Sequence, residues 1–218
     1  MRQMAEEVKR RRSYDATKRR AHSAETRQRI LAAARALFLE RGYRATTIAA
    51  IAGHAEVNAD TVYELVGRKP IVLRELIEQA ISGTDRAVVA DERDYVKAMR
   101  ATPDPTEKLA IYARAVRAIQ ARMAPLHLAL RDASSTEPEA EEVWREISER
   151  RAANMRRLVQ DLKSTGRLRS DLSVNEAADI VWATNSAELY IMLTMDRGWS
   201  AHHYERWLAD SWCRLLLR

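Results

Sequence analysis

Polar side chains of several types stand at nearby positions in the stretch Glu56–Lys69, which reads EVNADTVYELVGRK. Asn58, Asp60 and Thr61 supply hydrogen-bond donors and acceptors, and Tyr63 adds a hydroxyl group on a rigid ring. The apolar residues between them account for one buried face, but they leave the polar set without a role inside the chain. The chemistry that this pattern offers is hydrogen bonding and charge directed at an external partner.

Catalytic chemistry is not indicated by the sequence. The chain has no Gly-rich phosphate loop, nucleophile elbow, HExxH motif or paired-cysteine motif. Cys213 is the only cysteine, so neither an intrachain disulfide nor a cysteine-based zinc site can form. His202 and His203 are adjacent and diverge on a helix, which makes them a poor metal pair. We therefore expect no catalytic residue, no metal and no cofactor.

The positive charge is concentrated at the N-terminus. The net charge of the 218 residues is +6, and residues 1–22 hold eight Lys/Arg against three acidic residues. Residues 1–22 are thus predicted to be a basic, flexible arm that attracts a polyanion, although a merely solubilising tail remains an alternative. No apolar run approaches the roughly 18 residues of a membrane span, and we expect a cytoplasmic protein with no membrane partner.

Helical periodicity predicts an all-α fold. A first helix over about 23–41 should end at Gly42, and a short second helix should follow the hydroxyl cap of Thr46-Thr47. A third helix should begin at Asn58, and Pro70 should open a fourth. Short helices joined by tight turns form a helix-turn-helix unit, with the polar face of the third helix exposed. This N-terminal unit is assigned to residues 23–81.

Residues 82–218 are predicted to form a second, helical-bundle domain. Pro125 predicts a kink or break in a long helix that begins after Pro105. Two further helices, over about 174–195 and 200–217, carry broad apolar stripes and end the chain. Stripes of this width favour a two-fold, four-helix interface in addition to burial within one subunit.

A set of spaced residues resembles the N-terminal DNA-binding domain of the tetracycline-repressor (TetR) family of bacterial regulators. The matching positions fall in order over about 50 residues: Ala34, Leu37, Phe38, Gly42, Tyr43, Thr46, Thr47, Ile51, Ala52, Val57, Thr61, Val62, Tyr63 and Lys69. The sequence departs from the family pattern at Glu56, where the turn usually has glycine, and at Val66 and Pro70. At Glu56 the turn must either avoid a positive φ or accept strain.

The resemblance implies that the third helix enters the major groove of double-stranded DNA. Hydroxyl and ammonium groups suited to phosphate belong to Thr47, Tyr63 and Lys69, with Arg44 near the same side. Base edges would meet the first turn of the third helix: Asn58, Ala59, Asp60 and Thr61. The alternative role for Asn58 is a plain N-cap, which is favoured, whereas for Asp60 a favourable helix-start charge and base contact remain equally open.

The resemblance also implies a homodimer, formed through the last two helices, on a palindromic operator. It further implies a small-molecule effector, largely apolar or aromatic, that releases a repressor from DNA in the bacterial cytosol, where the bound form is associated with the nucleoid. Candidate ligand-binding residues are Tyr112, Met123, His127, Trp144, Trp182 and Asn185. For any single one of these six, an ordinary core residue is the favoured alternative, with His127 hydrogen-bonded to a neighbour. The alternative functions are a DNA-binding regulator without a small-molecule effector and an arm-driven, nonspecific nucleic-acid-binding protein.

Overall fold

The computed structural model describes the backbone of residues 2–218 and the side chains of residues 18–218. Over this range the chain is all-α, as predicted, and it divides into two compact units after Leu73. The predicted domain boundary lies a few residues later, at the end of the fourth helix. The first helix begins at Arg2 rather than at about residue 23, so the backbone of the predicted arm belongs to this helix. The side chains of residues 1–17 lie outside those described, and the proposed attraction of the arm to a polyanion stays a prediction.

The first unit is built on helix α1 (Arg2–Ala45), which packs on the short helices α2 (Ile48–His54) and α3 (Ala59–Leu65). Its core contains the predicted stripe of α1, including Ile30, Leu37 and Phe38, together with Ile51 and Val62. Because α2 and α3 have only seven residues each, neither could bury much surface without α1. The shared core therefore fixes the position of α3.

The end of α1 confirms the predicted role of Gly42, whose φ of 77° and ψ of 171° interrupt the helix. Thr46 is buried there, and its hydroxyl donates to the carbonyls of Gly42 (2.8 Å) and Leu37 (3.2 Å). The Thr47 hydroxyl accepts from the amide of Ala50 (3.1 Å) and caps α2. These contacts satisfy backbone groups that a helix end would otherwise leave unpaired.

Helix α4 (Lys69–Ser82) begins with Pro70 in its first turn, as predicted, and continues into the second unit. The next elements are a 3₁₀ turn (Ala90–Glu92) and α5 (Asp94–Ala101). They are followed by the long helices α6 (Pro105–Ser134) and α7 (Pro138–Ser164). Helix α6 is central, because α5, α7, α9 and α10 all pack against it. The predicted break at Pro125 does not occur, since α6 continues through it.

The predicted helix over about 174–195 is wrong, because the chain breaks it into three pieces. They are α8 (Val174–Thr184), α9 (Ala187–Ile191) and a π-helical turn (Met192–Asp196). Ser186 caps α9 by accepting from the amide of Leu189 (3.2 Å), while Asn185 closes α8. The predicted helix over about 200–217 is present as α10 (Ala201–Leu216), with Ser200 at its N-cap.

Candidate nucleic-acid interface and ligand cavity

The exposed side of α3 is the first candidate site. Asn58 occupies the N-cap position of α3 with extended backbone (φ −77°, ψ 153°), but its side chain makes no capping hydrogen bond. Asn58 therefore occupies the N-cap position that the sequence favoured, but its side chain does not form the hydrogen bond that such a cap provides. Asp60 is exposed, and half of the surface of Tyr63 (50%) is accessible. The helix thus presents amide, carboxylate and phenol groups on one rigid unit.

All eight predicted DNA-binding residues belong to the first unit, and none of them is buried. Arg44, Thr47, Asn58, Asp60 and Tyr63 are exposed, whereas Ala59, Thr61 and Lys69 are partly buried. Thr47 combines its exposure with the capping bond to α2, so its hydroxyl is held in place. Their roles in DNA contact stay predictions.

Lys69 is more constrained than its sequence position suggests. Its Nζ atom lies 3.9 Å from the centroid of the Tyr43 ring and donates to the Tyr43 carbonyl at 3.3 Å. Tyr43 itself is buried and stacks on Phe38, with ring centroids 5.7 Å apart. The ammonium group is consequently attached to the corner between α1 and α2. Such a contact orients the charge and removes part of its freedom.

The turn before α3 carries backbone strain. Glu56 has a φ of 55°, the only positive φ at a non-glycine residue among the described residues. This left-handed conformation is unfavourable for a residue with a Cβ atom. The position is the one at which the sequence departs from the family glycine, and the structure resolves the alternative in favour of strain.

The second candidate site is a cavity of about 150 Å³ inside the second unit. It lies among α5, α6, α7 and the end of α8, and four of the six predicted ligand-binding residues line it: Tyr112, Met123, His127 and Asn185. Trp144 and Trp182 are not in its wall. Trp144 packs behind His127, with ring centroids 4.6 Å apart, and Trp182 lies beneath the guanidinium group of Arg151.

Asn185 organises the polar end of the cavity. Its side-chain amide donates to the Tyr112 hydroxyl (2.9 Å) and to the Met155 sulfur (3.2 Å), and its Oδ1 atom accepts from Arg151. Its backbone carbonyl accepts from the Gln120 amide. Asn185 makes these bonds from the C-cap position of α8, at the break before α9, where it is buried. Burial raises the pKa of the Tyr112 hydroxyl far above its usual range, so it stays protonated.

Two cavity residues, Gln120 and Arg151, escaped the sequence interpretation. Gln120 is buried, and its Oε1 atom has no hydrogen-bond partner among the described residues. Its spacing from Val116 and Met123 places it on the inner face of α6, so helical periodicity could have identified it. Arg151 follows Arg150 in a charged helix and looks solvated in sequence, so no local pattern reveals its inward position.

His127 is a neutral imidazole in this environment. Burial, and secondarily the positive charge of Arg151, lower its pKa to about 4. Its Nδ1 atom has no hydrogen-bond partner in the described part of the chain. A buried nitrogen without a partner is costly, which makes the cavity receptive to a polar group on a ligand.

Several other properties bear on the choice of function. Residues 18–218 contain no group of three or more His, Cys, Asp or Glu side chains arranged to hold a metal ion. None of the helices in the described range has the length and apolar character of a membrane span. Large apolar side chains exposed near the end of the chain are those of Met192, Met195 and Leu215.

Comparison with known proteins gives a family-model match within the first unit and a similar fold for most of the chain. Residues 30–65 match the family model described as bacterial regulatory proteins, tetR family. No curated protein sequence matches the chain. The fold is similar to that of NalD from Pseudomonas aeruginosa, described as the secondary repressor of the MexAB-OprM multidrug efflux pump. That match has 21% identity and a TM-score of 0.71, and it covers 90% of this chain and 98% of NalD.

Two further solved structures contain small molecules. A transcriptional regulator from Saccharomonospora viridis, in complex with choline, matches with 21% identity and a TM-score of 0.67, covering 89% of this chain and 98% of its own. The SmeT–triclosan complex matches with 19% identity and a TM-score of 0.62, covering 89% of this chain and 92% of its own. At these identities the likeness shows the fold.

Proposed function

We propose that this chain, a transcriptional regulator of the TetR family by its N-terminal domain and its fold, is a repressor that a small molecule releases from DNA. The observation that carries the proposal is the α3 surface. The side chains of Asn58 and Asp60 at its first turn make no hydrogen bond among the described residues, and they lie beside the half-exposed ring of Tyr63. A rigid helix with free polar side chains is suited to base edges in the major groove.

The DNA partner we propose is a palindrome bound by a homodimer. One helix of seven residues reaches few base pairs, so selectivity requires two half-sites about 34–36 Å apart. The exposed apolar side chains of Met192, Met195 and Leu215 favour a partner surface on the last helices. In contrast, Leu208 and Trp212 of the last apolar stripe are fully buried within the chain, so they serve its own core.

Effector control is supported by the cavity in the second unit. Its wall combines apolar and aromatic side chains, such as those of Val116, Met123 and Tyr112, with polar and charged groups that can orient a ligand. The choline and triclosan complexes of proteins with this fold support the binding of a small molecule by this chain. Release would follow if the ligand preferred a state of the protein that binds DNA weakly.

Selection from a random pool of duplexes tests the proposal. We expect the purified chain to enrich a two-fold symmetric sequence, with half-sites about one helical turn apart. Enrichment of a palindrome by wild type, and its loss in an Asn58→Ala/Asp60→Ala variant, would support readout by α3. A pool that stays random, or single strands that bind as tightly as duplexes, would instead support nonspecific nucleic-acid binding.

A further inference from the structure

A partly buried positive charge, that of Arg151, occupies the polar end of the cavity. The Nε and Nη2 atoms of Arg151 donate to the Oδ1 atom of Asn185 at 3.0 and 2.6 Å, and Nη2 also donates to the Trp182 carbonyl. The guanidinium carbon lies 4.5 Å from the centroid of the Trp182 ring. All of these partners are electrically neutral, so they orient the guanidinium group without balancing its charge.

No carboxylate among residues 18–218 lies within ion-pair distance of Arg151. The nearest acidic influence comes from Glu188, whose carboxylate is already bonded to Arg131. An ion removed from water without a counter-charge costs several kcal/mol in general. The end of α8 offsets a part of this cost, because the carbonyl of Trp182 belongs to its negative terminus. An anion that enters the cavity would offset the remaining part of this desolvation cost.

The other charged groups of the cavity wall also favour a negative ligand. Its wall contains five arginines and two aspartates: Arg93, Arg100, Arg150, Arg151, Arg157, Asp91 and Asp161. Both aspartates are engaged, Asp91 with Arg100 and Asp161 with Lys108, each at 2.8 Å. Arg93 and Arg151 are both partly buried and bond only to neutral groups, and of the two it is Arg151 that lies beside Asn185 at the polar end. The electrostatic field in this cavity thus favours a negative ligand.

The rest of the wall sets the size and character of the ligand. Apolar surface comes from Val116, Met123 and Leu158 and from the ring of Tyr112. The cavity volume of about 150 Å³ is similar to that of engineered cavities that admit benzene. A single ring or a short branched chain fits this space, whereas a large polycyclic molecule does not.

We propose that the effector is a small organic acid whose carboxylate binds Arg151 while its apolar body fills the space beside Tyr112. The unpartnered Oε1 atom of Gln120 accepts a hydroxyl or N–H group where the acid carries one. This inference rests on the proposed role of the cavity as the effector site, and it narrows that site from any apolar molecule to an apolar anion.

Calorimetric titration with three ligands of the same shape tests the inference. Benzoate, benzamide and benzylamine differ in charge and share one ring, so they separate the effect of Arg151 from that of cavity size. We expect benzoate to bind wild type at least tenfold more tightly than benzamide, and benzylamine to bind most weakly. Equal affinity for benzoate and benzamide would overturn the inference, even if the variants described next could not be prepared.

Variants of two arginines on α7 test whether the preference for benzoate depends on Arg151. Arg151→Met should reduce the preference for benzoate over benzamide to less than twofold, and Arg151→Lys should keep a part of it. Arg156→Gln, a change at an exposed arginine that is not in the cavity wall, should leave the preference unchanged. If Arg151→Met kept the full preference, Arg151 would have only a structural role at the end of α8 and the inference would be wrong.

Operator binding separates this inference from the proposed function. If benzoate binds and does not weaken binding to the selected operator, the cavity takes organic acids but the proposed effector control fails. If a neutral molecule releases the operator while benzoate does not bind, effector control stands and the anion inference fails.

Discussion

The ammonium group of Lys69 sits over the ring of Tyr43, 3.9 Å from its centroid, and is bonded to the same residue's carbonyl. A lysine at the start of α4 therefore contacts a tyrosine near the end of α1. Its charge is held at a defined place on the first unit, which is the property needed for a phosphate contact. The same contact also stabilises the unit itself, so the two roles must be measured separately.

Replacement of Lys69 and Tyr63 tests phosphate contact. Lys69→Met and Tyr63→Phe should each lower affinity for operator and random duplex alike, by about tenfold for Lys69, because one charge-assisted hydrogen bond is lost. The slope of log affinity against log salt should fall by about one for Lys69→Met. Lys97→Met, at an exposed lysine of α5, is the matched control. An unchanged affinity with lower stability would leave Lys69 a purely structural role.

Asp60 is expected to read a base rather than to stabilise α3. Asp60→Ala should relax the sequence preference at one base pair of each half-site by about 1–3 kcal/mol, because a carboxylate accepts from a cytosine amino group. Duplex selection with the variant measures this change. Asp94→Ala removes an aspartate from the first turn of α5 and serves as control. A loss of stability without any change in the selected sequence would assign Asp60 to the helix start.

The basic N-terminal segment should act on all sequences equally. Deletion of residues 2–20 removes eight Lys/Arg and should weaken binding to operator and random duplex in parallel. The salt dependence of both affinities should become shallower, with the preference for operator mostly retained. Fluorescence anisotropy at several salt concentrations measures both quantities. If neither quantity changes, the segment serves solubility only.

Glu56→Gly should stabilise the protein. Its φ of 55° is unfavourable for glutamate and free of steric cost for glycine, so we expect a gain of about 1 kcal/mol in the free energy of unfolding. Glu64→Gly, at an exposed glutamate with helical backbone in α3, should instead destabilise by a similar amount. Urea titration of both variants measures the difference. A destabilised Glu56→Gly would mean that the turn is not strained.

His127 should make the protein sensitive to acid. Its pKa of about 4 in the folded state lies below the ordinary 6.5, so the unfolded chain binds more protons between these values. Stability is complete above about pH 7 and falls by roughly 3 kcal/mol as the pH drops to 4. The charged groups that act on this imidazole are Arg151, Arg131 and Glu188.

His127→Phe keeps a ring beside Trp144 and removes the titrating group. The slope of unfolding free energy against pH between 7 and 4 should therefore be smaller in this variant than in wild type. His54→Gln, at an exposed histidine of α2, should leave the slope unchanged. Identical slopes for wild type and His127→Phe would contradict the prediction.

Sequence patterns predicted the parts of the fold whose causes are local. Gly42 ends the helical run of α1, Thr47 caps α2 and Pro70 opens α4, because each residue acts on its own neighbouring backbone. The interruption at Asn185 was missed, since apolar residues continue at helical spacing across it. Only the tertiary bonds of Asn185 to α6 and α7 show why the chain breaks there.

The candidate sites also contain residues that local patterns predict and residues that they do not. The exposure of Asp60 and Tyr63 follows from the periodicity of one short helix, and the structure has both on the surface. The inward position of Arg151 depends on the packing of α7 against the end of α8, which no local pattern encodes. A charged side chain on a charged helix is usually solvated. The sequence alone therefore indicated a solvent-exposed position for Arg151, whereas the structure places it in the cavity wall.

A mutation at either of the two residues between α8 and α9 would affect two parts of the protein. Asn185 holds the polar end of the cavity, and Ser186 starts the next helix, whose continuation carries Met192 and Met195 on the surface. A mutation that fused the two helices would remove the anchor of Arg151 and turn those methionines in the same step. We expect such a mutation to change ligand preference together with pairing in the proposed dimer, because both would depend on the same break between helices.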